Sequence, residues 1–197
     1  METLHVFDFI AATIGLIYIW LEYKANIWMW IVGIIMPAID IFVYYKAGLY
    51  ADSGMAVYYT LAAIYGFCTW KFFKEKKQEC RNNPSKESEE MPITHYKQSH
   101  ILPSVIAFVL AWFSIYELLI HFSNSNIPVM DSFINALSII ALWALSRKYI
   151  EQWILWIIID AIFCGLAFYK GLIFKPCLYG LYVIIAVFGY FKWQKLM

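Results

Sequence analysis

Charge is what this chain is short of. Only 15% of its 197 residues are charged, against about 25% in ordinary soluble domains, and 62% are hydrophobic. So little polar material cannot cover a soluble surface, and composition assigns the chain to the lipid bilayer. A net charge of +1 provides no field that would hold nucleic acid. The four cysteines, Cys68, Cys80, Cys164 and Cys177, are scattered without metal-ligand spacing. The four histidines, His5, His95, His100 and His121, sit at segment ends or in hydrophilic sequence, again without ligand spacing. No metal and no cofactor is expected. There is no glycine-rich phosphate loop and no nucleophile paired with a base, so ATP hydrolysis and hydrolytic catalysis lack the residues to carry them. The N-terminus has neither a basic leader nor a small-residue cleavage site, and reads as a first span, not a signal peptide.

Long apolar runs are abundant. A helix crosses the hydrocarbon core with about 20 mostly apolar residues. Seven segments fit, some of them short: near 5–21, 27–45, 55–73, 101–122, 131–146, 151–169 and 173–191. Asp8 is placed as an N-cap of the first. Pro37 lies within the second, where it frees a backbone carbonyl and kinks the helix. Lys74 to Ser99 is the one long hydrophilic stretch and reads as a flexible linker. The expected organisation is a three-helix repeat over 1–73, a linker over 74–100, a joining helix over 101–122 and a second three-helix repeat over 123–197.

The two triplets share landmarks. Displaced by 123 residues, Trp20 falls on Trp143, Lys24 on Arg147, Trp30 on Trp153, Tyr59 on Tyr182, Gly66 on Gly189 and Trp70 on Trp193; Gly48-Leu49 falls on Gly171-Leu172. This is the signature of an internal duplication. Three is odd, so the joining span restores the direction of the second triplet. The expected fold is therefore all-α, seven transmembrane helices in a 3+1+3 arrangement of parallel repeats, as in SWEET-type sugar transporters. The polar content is not duplicated: Asp160 faces Pro37 in this alignment. An asymmetric ligand between two similar scaffolds would produce that pattern.

Orientation follows from the basic residues. With the N-terminus outside, the inner side receives Lys24, Lys71, Lys74, Lys76, Lys77, Arg81, Lys86, Lys97, Arg147, Lys148, Lys192 and Lys195, and the outer side only Lys46, Lys170 and Lys175. The linker and C-terminus are thus expected in the cytoplasm.

Three carboxylates fall within spans: Asp40, Glu117 and Asp160. A charge at mid-bilayer costs about 2.5–3.5 kcal/mol on insertion scales, and no Lys or Arg lies at the depth of Asp160. Its partner is either a structural hydrogen bond or a cation from outside. Trp153, Trp156 and Asp160 follow an i, i+3, i+7 spacing that puts them on one helix face. With Trp28 and Trp30 they form either an aromatic belt at the membrane edge or a cage for a flat cation. Tyr58, Tyr59, Tyr179 and Tyr182 lie toward the outer side. Asn135, one turn into the fifth span, wants a hydrogen-bond partner.

Leu21-Glu22 before Asn26-Ile-Trp28-Met-Trp30, then Gly33, Gly48-Leu-Tyr50-Ala-Asp52, Gly66 and Trp70, followed by Glu151-Gln-Trp153-Ile-Leu-Trp156-Ile-Ile-Ile-Asp160, Gly171-Leu172 and Gly189, resemble the Pnu vitamin transporters. The resemblance covers nearly the whole chain apart from the linker. It implies a facilitator in the bacterial inner membrane, similar in fold to SWEET proteins and trimeric, whose substrate is trapped by a cytoplasmic kinase. Ile31 stands where the riboside carriers of the PnuC type tend to have Pro. Glu22-Tyr23-Lys24 with Gly33-Ile-Ile-Met36-Pro37 is more similar to the PnuT branch, associated with thiamine.

The expected function is uptake of a cationic vitamin by alternating access, thiamine first and nicotinamide riboside as the alternative. The sparse Asn and Gln within the spans weigh against a ribose. Asp160 and Asp40 would offset the charge, Trp30, Trp153 and Trp156 would stack on or gate against the rings, and Asn135 and Tyr182 would supply hydrogen bonds. A membrane-embedded enzyme using Asp40 and Asp160 lacks a nucleophile or metal ligand. A non-transporting partner subunit would have no use for the unduplicated polar residues.

Overall fold

A computed structural model describes residues 2–46, 48, 50–79, 91–123, 127–169 and 174–197. Among them the backbone forms seven helices: α1 (Glu2–Tyr23), α2 (Trp28–Lys46), α3 (Tyr50–Glu79), α4 (Gln98–Phe122), α5 (Pro128–Ser146), α6 (Gln152–Tyr169) and α7 (Phe174–Leu196). Five of them, α2, α4, α5, α6 and α7 from Pro176, are long and apolar enough to cross a membrane. Their outward faces carry apolar side chains such as Leu102, Leu110 and Phe113 on α4. Outside water such faces cost nothing, and in water they would be an aggregation hazard.

Several boundaries move. α1 begins at Glu2, so Asp8 lies inside the helix and is not its N-cap. Pro37 is accommodated within α2. α3 runs six residues past Phe73, to Glu79. Leu49, Gly171 and Leu172 of the Gly-Leu correspondence, and the middle of the linker, residues 80–90, lie outside the described residues.

The turn after α1 and the turn after α5 match bond for bond at the 123-residue displacement. Ala25 and Lys148 both have φ of 52°, the left-handed region that non-glycine residues seldom occupy. Ala25 N–H donates to the Glu22 carbonyl at 2.8 Å and Lys148 N–H to that of Leu145 at 2.9 Å. Asn26 N–H reaches Leu21 at 3.0 Å, and Tyr149 N–H reaches Ala144 at 3.0 Å. The packing behind the turns matches too. Trp30 meets Trp70 edge-on at 5.5 Å and 89°, and Trp153 meets Trp193 at 5.6 Å and 90°. The Trp30 ring lies over Gly66 and the Trp153 ring over Gly189. These four indoles belong to one buried cluster, which ties α2 to α3 and α6 to α7.

The end of the linker is not free. Thr94 forms a parallel bridge with the α5–α6 turn: its N–H donates to Lys148 and its carbonyl accepts from Ile150, both at 3.1 Å. The Glu151 carboxylate accepts from Tyr96 N–H at 2.8 Å and meets His95 Nδ1 at 2.9 Å. Burial pushes the Tyr96 phenol above its ordinary pKa, so it stays a neutral partner for Ser104. In the α1–α2 turn the equivalent work is done locally, by Asn26 Oδ1 accepting from Trp28 N–H at 3.0 Å. Sequence composition could not reveal this strap, because backbone pairing needs no particular side chain. Glu151→Ala removes a charge-assisted bond of about 1 kcal/mol after allowance for its partial exposure. Amide exchange at Thr94 and Ile150 should then be about fivefold faster; unchanged exchange would show that the bridge holds without the carboxylate.

Candidate functional site

A cavity of about 380 Å³ lies between α1, α2, α3, α5, α6 and α7. It borders on the duplicated architecture at both ends. Tyr59 of α3 reaches across to α5, donating to Asn135 Oδ1 at 2.9 Å. Its counterpart Tyr182 of α7 reaches across to α1, where its hydroxyl fills the space that a Cβ at Gly15 would take. Only glycine permits that approach. Both tyrosines line the cavity.

Of the seven residues expected at the site, the structure brings five to this cavity: Trp30, Trp153, Trp156, Asp160 and Tyr182. Trp30 and Trp153 are fully buried and Asp160 is 7% exposed. The indole N–H groups of Trp30, Trp153 and Trp156 have no acceptor. Buried donors normally find one; the N–H of Trp193, off the cavity, is unmet in the same way. Phe163 stacks on Tyr179 at 4.9 Å beside Asp160, adding an aromatic flank.

The other two are off the cavity. Asp40 lies one turn beyond Pro37, the last α2 residue on the wall. Asn135 lies one turn before Ser138, the first α5 residue on it. Its amide is already engaged: Oδ1 accepts from Tyr59 and Nδ2 donates to the Asp131 carbonyl at 2.8 Å. Trp28 is 63% exposed and belongs to the outer surface. Glu117 is likewise half-exposed, 3.5 Å from His121 one turn on.

Sequence reasoning passed over Glu22. It reads as part of a polar turn, yet it is 2% exposed and lines the cavity. Its Oε1 has no hydrogen-bond partner. Gln152, at the start of α6 and fully buried, lies within hydrogen-bonding reach of that carboxylate, although neither of its amide atoms closes a bond of normal geometry. Among the described residues no group of three His, Cys, Asp or Glu could hold a metal ion.

The cavity lining contains two carboxylates, seven rings that are Trp or Tyr drawn from both repeats, and no Lys, Arg or His among its described residues. It suits a flat, positively charged molecule with hydrogen-bonding groups. The whole fold is shared with a solved protein, the vitamin B3 transporter PnuC, at a TM-score of 0.67 and 24% identity, over 94% of this chain and 79% of that one. The nicotinamide riboside transporter PnuC of Neisseria mucosa is 27% identical over 95% of this chain and 72% of its own length. The protein of the same name from Escherichia coli is 22% identical over 91% of this chain and 81% of its own. The riboflavin/roseoflavin transporter RibM of Streptomyces davaonensis is 23% identical over 94% and 83%. The nicotinamide mononucleotide transporter model matches residues 5–195, and the chain belongs to that family of multi-pass membrane transporters.

Proposed function

We propose that this protein is an uptake transporter for nicotinamide riboside. The observation that carries the reading is the grouping of Asp160 with the indoles of Trp30, Trp153 and Trp156 around one cavity, in a chain whose family is named for a nicotinamide compound. The preference for thiamine is set aside: the three relatives named above are transporters of nicotinamide riboside or riboflavin. The family name includes a mononucleotide, but a phosphate dianion would face Glu22 and Asp160 in a lining without a cation. The riboside, a pyridinium with an uncharged sugar, meets no such repulsion.

Asp160 offsets the pyridinium charge, Trp30, Trp153 and Trp156 offer ring faces and N–H donors, and Tyr182 offers a hydroxyl. The residues 1–73 and 123–197 act as two three-helix repeats that rock about the site, joined by 74–100 and the helix over 101–122. The N-terminus faces outward and the C-terminus lies in the cytoplasm of a bacterium, as the skew of basic residues favours. The carrier performs no chemistry on its cargo, works as a homo-oligomer, a trimer as the family resemblance implies, and relies on a cytoplasmic kinase to trap the product.

Liposomes reconstituted with the protein test this directly. Labelled nicotinamide riboside should enter until inside and outside concentrations match, and thiamine and riboflavin should compete at least about tenfold less well, the scale of one lost hydrogen bond to a charged group. Accumulation driven by protons or sodium would overturn facilitation. Better competition by thiamine or riboflavin would overturn the substrate.

A further inference from the structure

We propose that Glu22 is the specificity-determining residue for the sugar: its carboxylate accepts hydrogen bonds from the ribose hydroxyls, and Gln152 is the positioning residue that holds it. This deepens, and rests on, the reading of the cavity as a nicotinamide riboside site.

Four observations converge on Glu22. It lines the cavity while being 2% exposed. Its Oε1 is buried without a partner. The fully buried Gln152 stands beside it, also unsatisfied at both amide atoms. The fourth observation is the duplication itself. The position equivalent to Glu22 in the second repeat is Leu145, and the position equivalent to Gln152 in the first is Met29; both are fully buried. An apolar residue therefore satisfies the scaffold at each location. The polar versions occur once each, on opposite repeats, and meet at one end of the cavity. Unsatisfied buried polar groups cost stability, so a pair placed where the fold accepts Leu and Met points to a ligand.

The chemistry narrows what that ligand group is. The cavity that Glu22 lines combines the acceptors of its carboxylate with indoles, Trp30 and Trp153, whose buried N–H groups lack acceptors. A cation donates only, and a phosphate accepts only. A hydroxyl both donates and accepts, and a vicinal diol does so twice. Gln152 and Asp160 are eight residues apart on α6, about 12 Å of helix rise. Glu22, beside Gln152, thus lies near the start of α6 and Asp160 about two turns further on; Asp160 takes the charged ring and Glu22 the sugar. Shape alone separates close analogues poorly, whereas a site built to hydrogen-bond hydroxyls rejects ligands without them.

The test is calorimetric titration of the purified protein with two ligands that share the pyridinium: nicotinamide riboside, and 1-methylnicotinamide, which has no sugar. The parent protein should prefer the riboside by about tenfold or more. Glu22→Gln should lose about tenfold in riboside affinity and change little toward 1-methylnicotinamide, so that the preference collapses; Gln152→Leu should narrow the same ratio without abolishing binding. Asp160→Asn should weaken both ligands together. A parent protein that binds neither ligand would overturn the transport reading and this inference with it. A parent that binds both equally, or a Glu22→Gln variant that keeps the preference or loses both ligands equally, would overturn this inference and leave the transport reading standing. The parent comparison needs no variant to fold, and monodisperse elution screens the variants.

Discussion

Asp160→Asn should bind nicotinamide riboside about ten- to a hundredfold more weakly than the parent protein. The side chains are nearly isosteric, so the cavity keeps its shape and loses only the charge. A hydrogen bond to a charged group contributes about 1.5–3 kcal/mol, and each 1.4 kcal/mol is a factor of ten in affinity. The dry setting raises the value of the contact, since Asp160 is 7% exposed and is flanked by Trp156, Phe163 and Tyr179. Neutral Asn also relieves an unpaired buried carboxylate, so the variant should be at least as stable to heat as the parent. Weaker binding together with equal or higher stability is the signature of a residue kept for its ligand. Asp40→Asn is the internal control: it is off the cavity and should change affinity less than about twofold. Equal losses at both positions would move the ligand away from α6, toward α2.

The framework was legible because it is written in residues with few alternatives. Trp30, Gly66 and Trp70 recur as Trp153, Gly189 and Trp193, and each trio forms the same wedge of indole over glycine against indole. Trp153, Trp156 and Asp160 were legible as one face because i, i+3 and i+7 spacing survives any helix packing. Depth was not legible. Asp40 and Asn135 share faces with cavity residues, yet each lies one turn past the end of the wall, and hydropathy does not say where a cavity stops. Glu22 was hidden for another reason. A polar run between two apolar segments reads as a surface turn, but the left-handed Ala25 folds the turn back so that Glu22 points inward. The sparse Asn and Gln that weighed against a ribose were counted within the spans, whereas Glu22 and Gln152, the groups proposed to meet it, stand at their edges.

Gly66→Ala should destabilise the protein by about 1–3 kcal/mol, the range for forcing an added methyl into a packed core, and should abolish tight riboside binding as well. A Cβ at Gly66 would overlap three atoms of the six-membered ring of Trp30. The ring cannot slide away freely, because Trp70 stands edge-on to it at 5.5 Å. Relief requires α2 to move from α3, and Trp30 forms part of the cavity wall. Gly189→Ala should act in the same way but less severely, since its Cβ would come 2.7 Å from the Trp153 ring, and a few tenths of an ångström of helix motion relieve more of the clash. The opposite sign is expected at Gly180, in α7: nothing lies within 4 Å of a Cβ there, and Ala in place of Gly within a helix stabilises by about 0.5–1 kcal/mol. Thermal unfolding in detergent orders the four proteins: Gly180→Ala highest, then the parent, Gly189→Ala and Gly66→Ala. If Gly66→Ala unfolded at or above the parent temperature, the Trp30 wedge would not be part of what holds α2 against α3. The matched Trp153 wedge on α6 and α7 would then lose its claim to orient Trp153 toward the ligand.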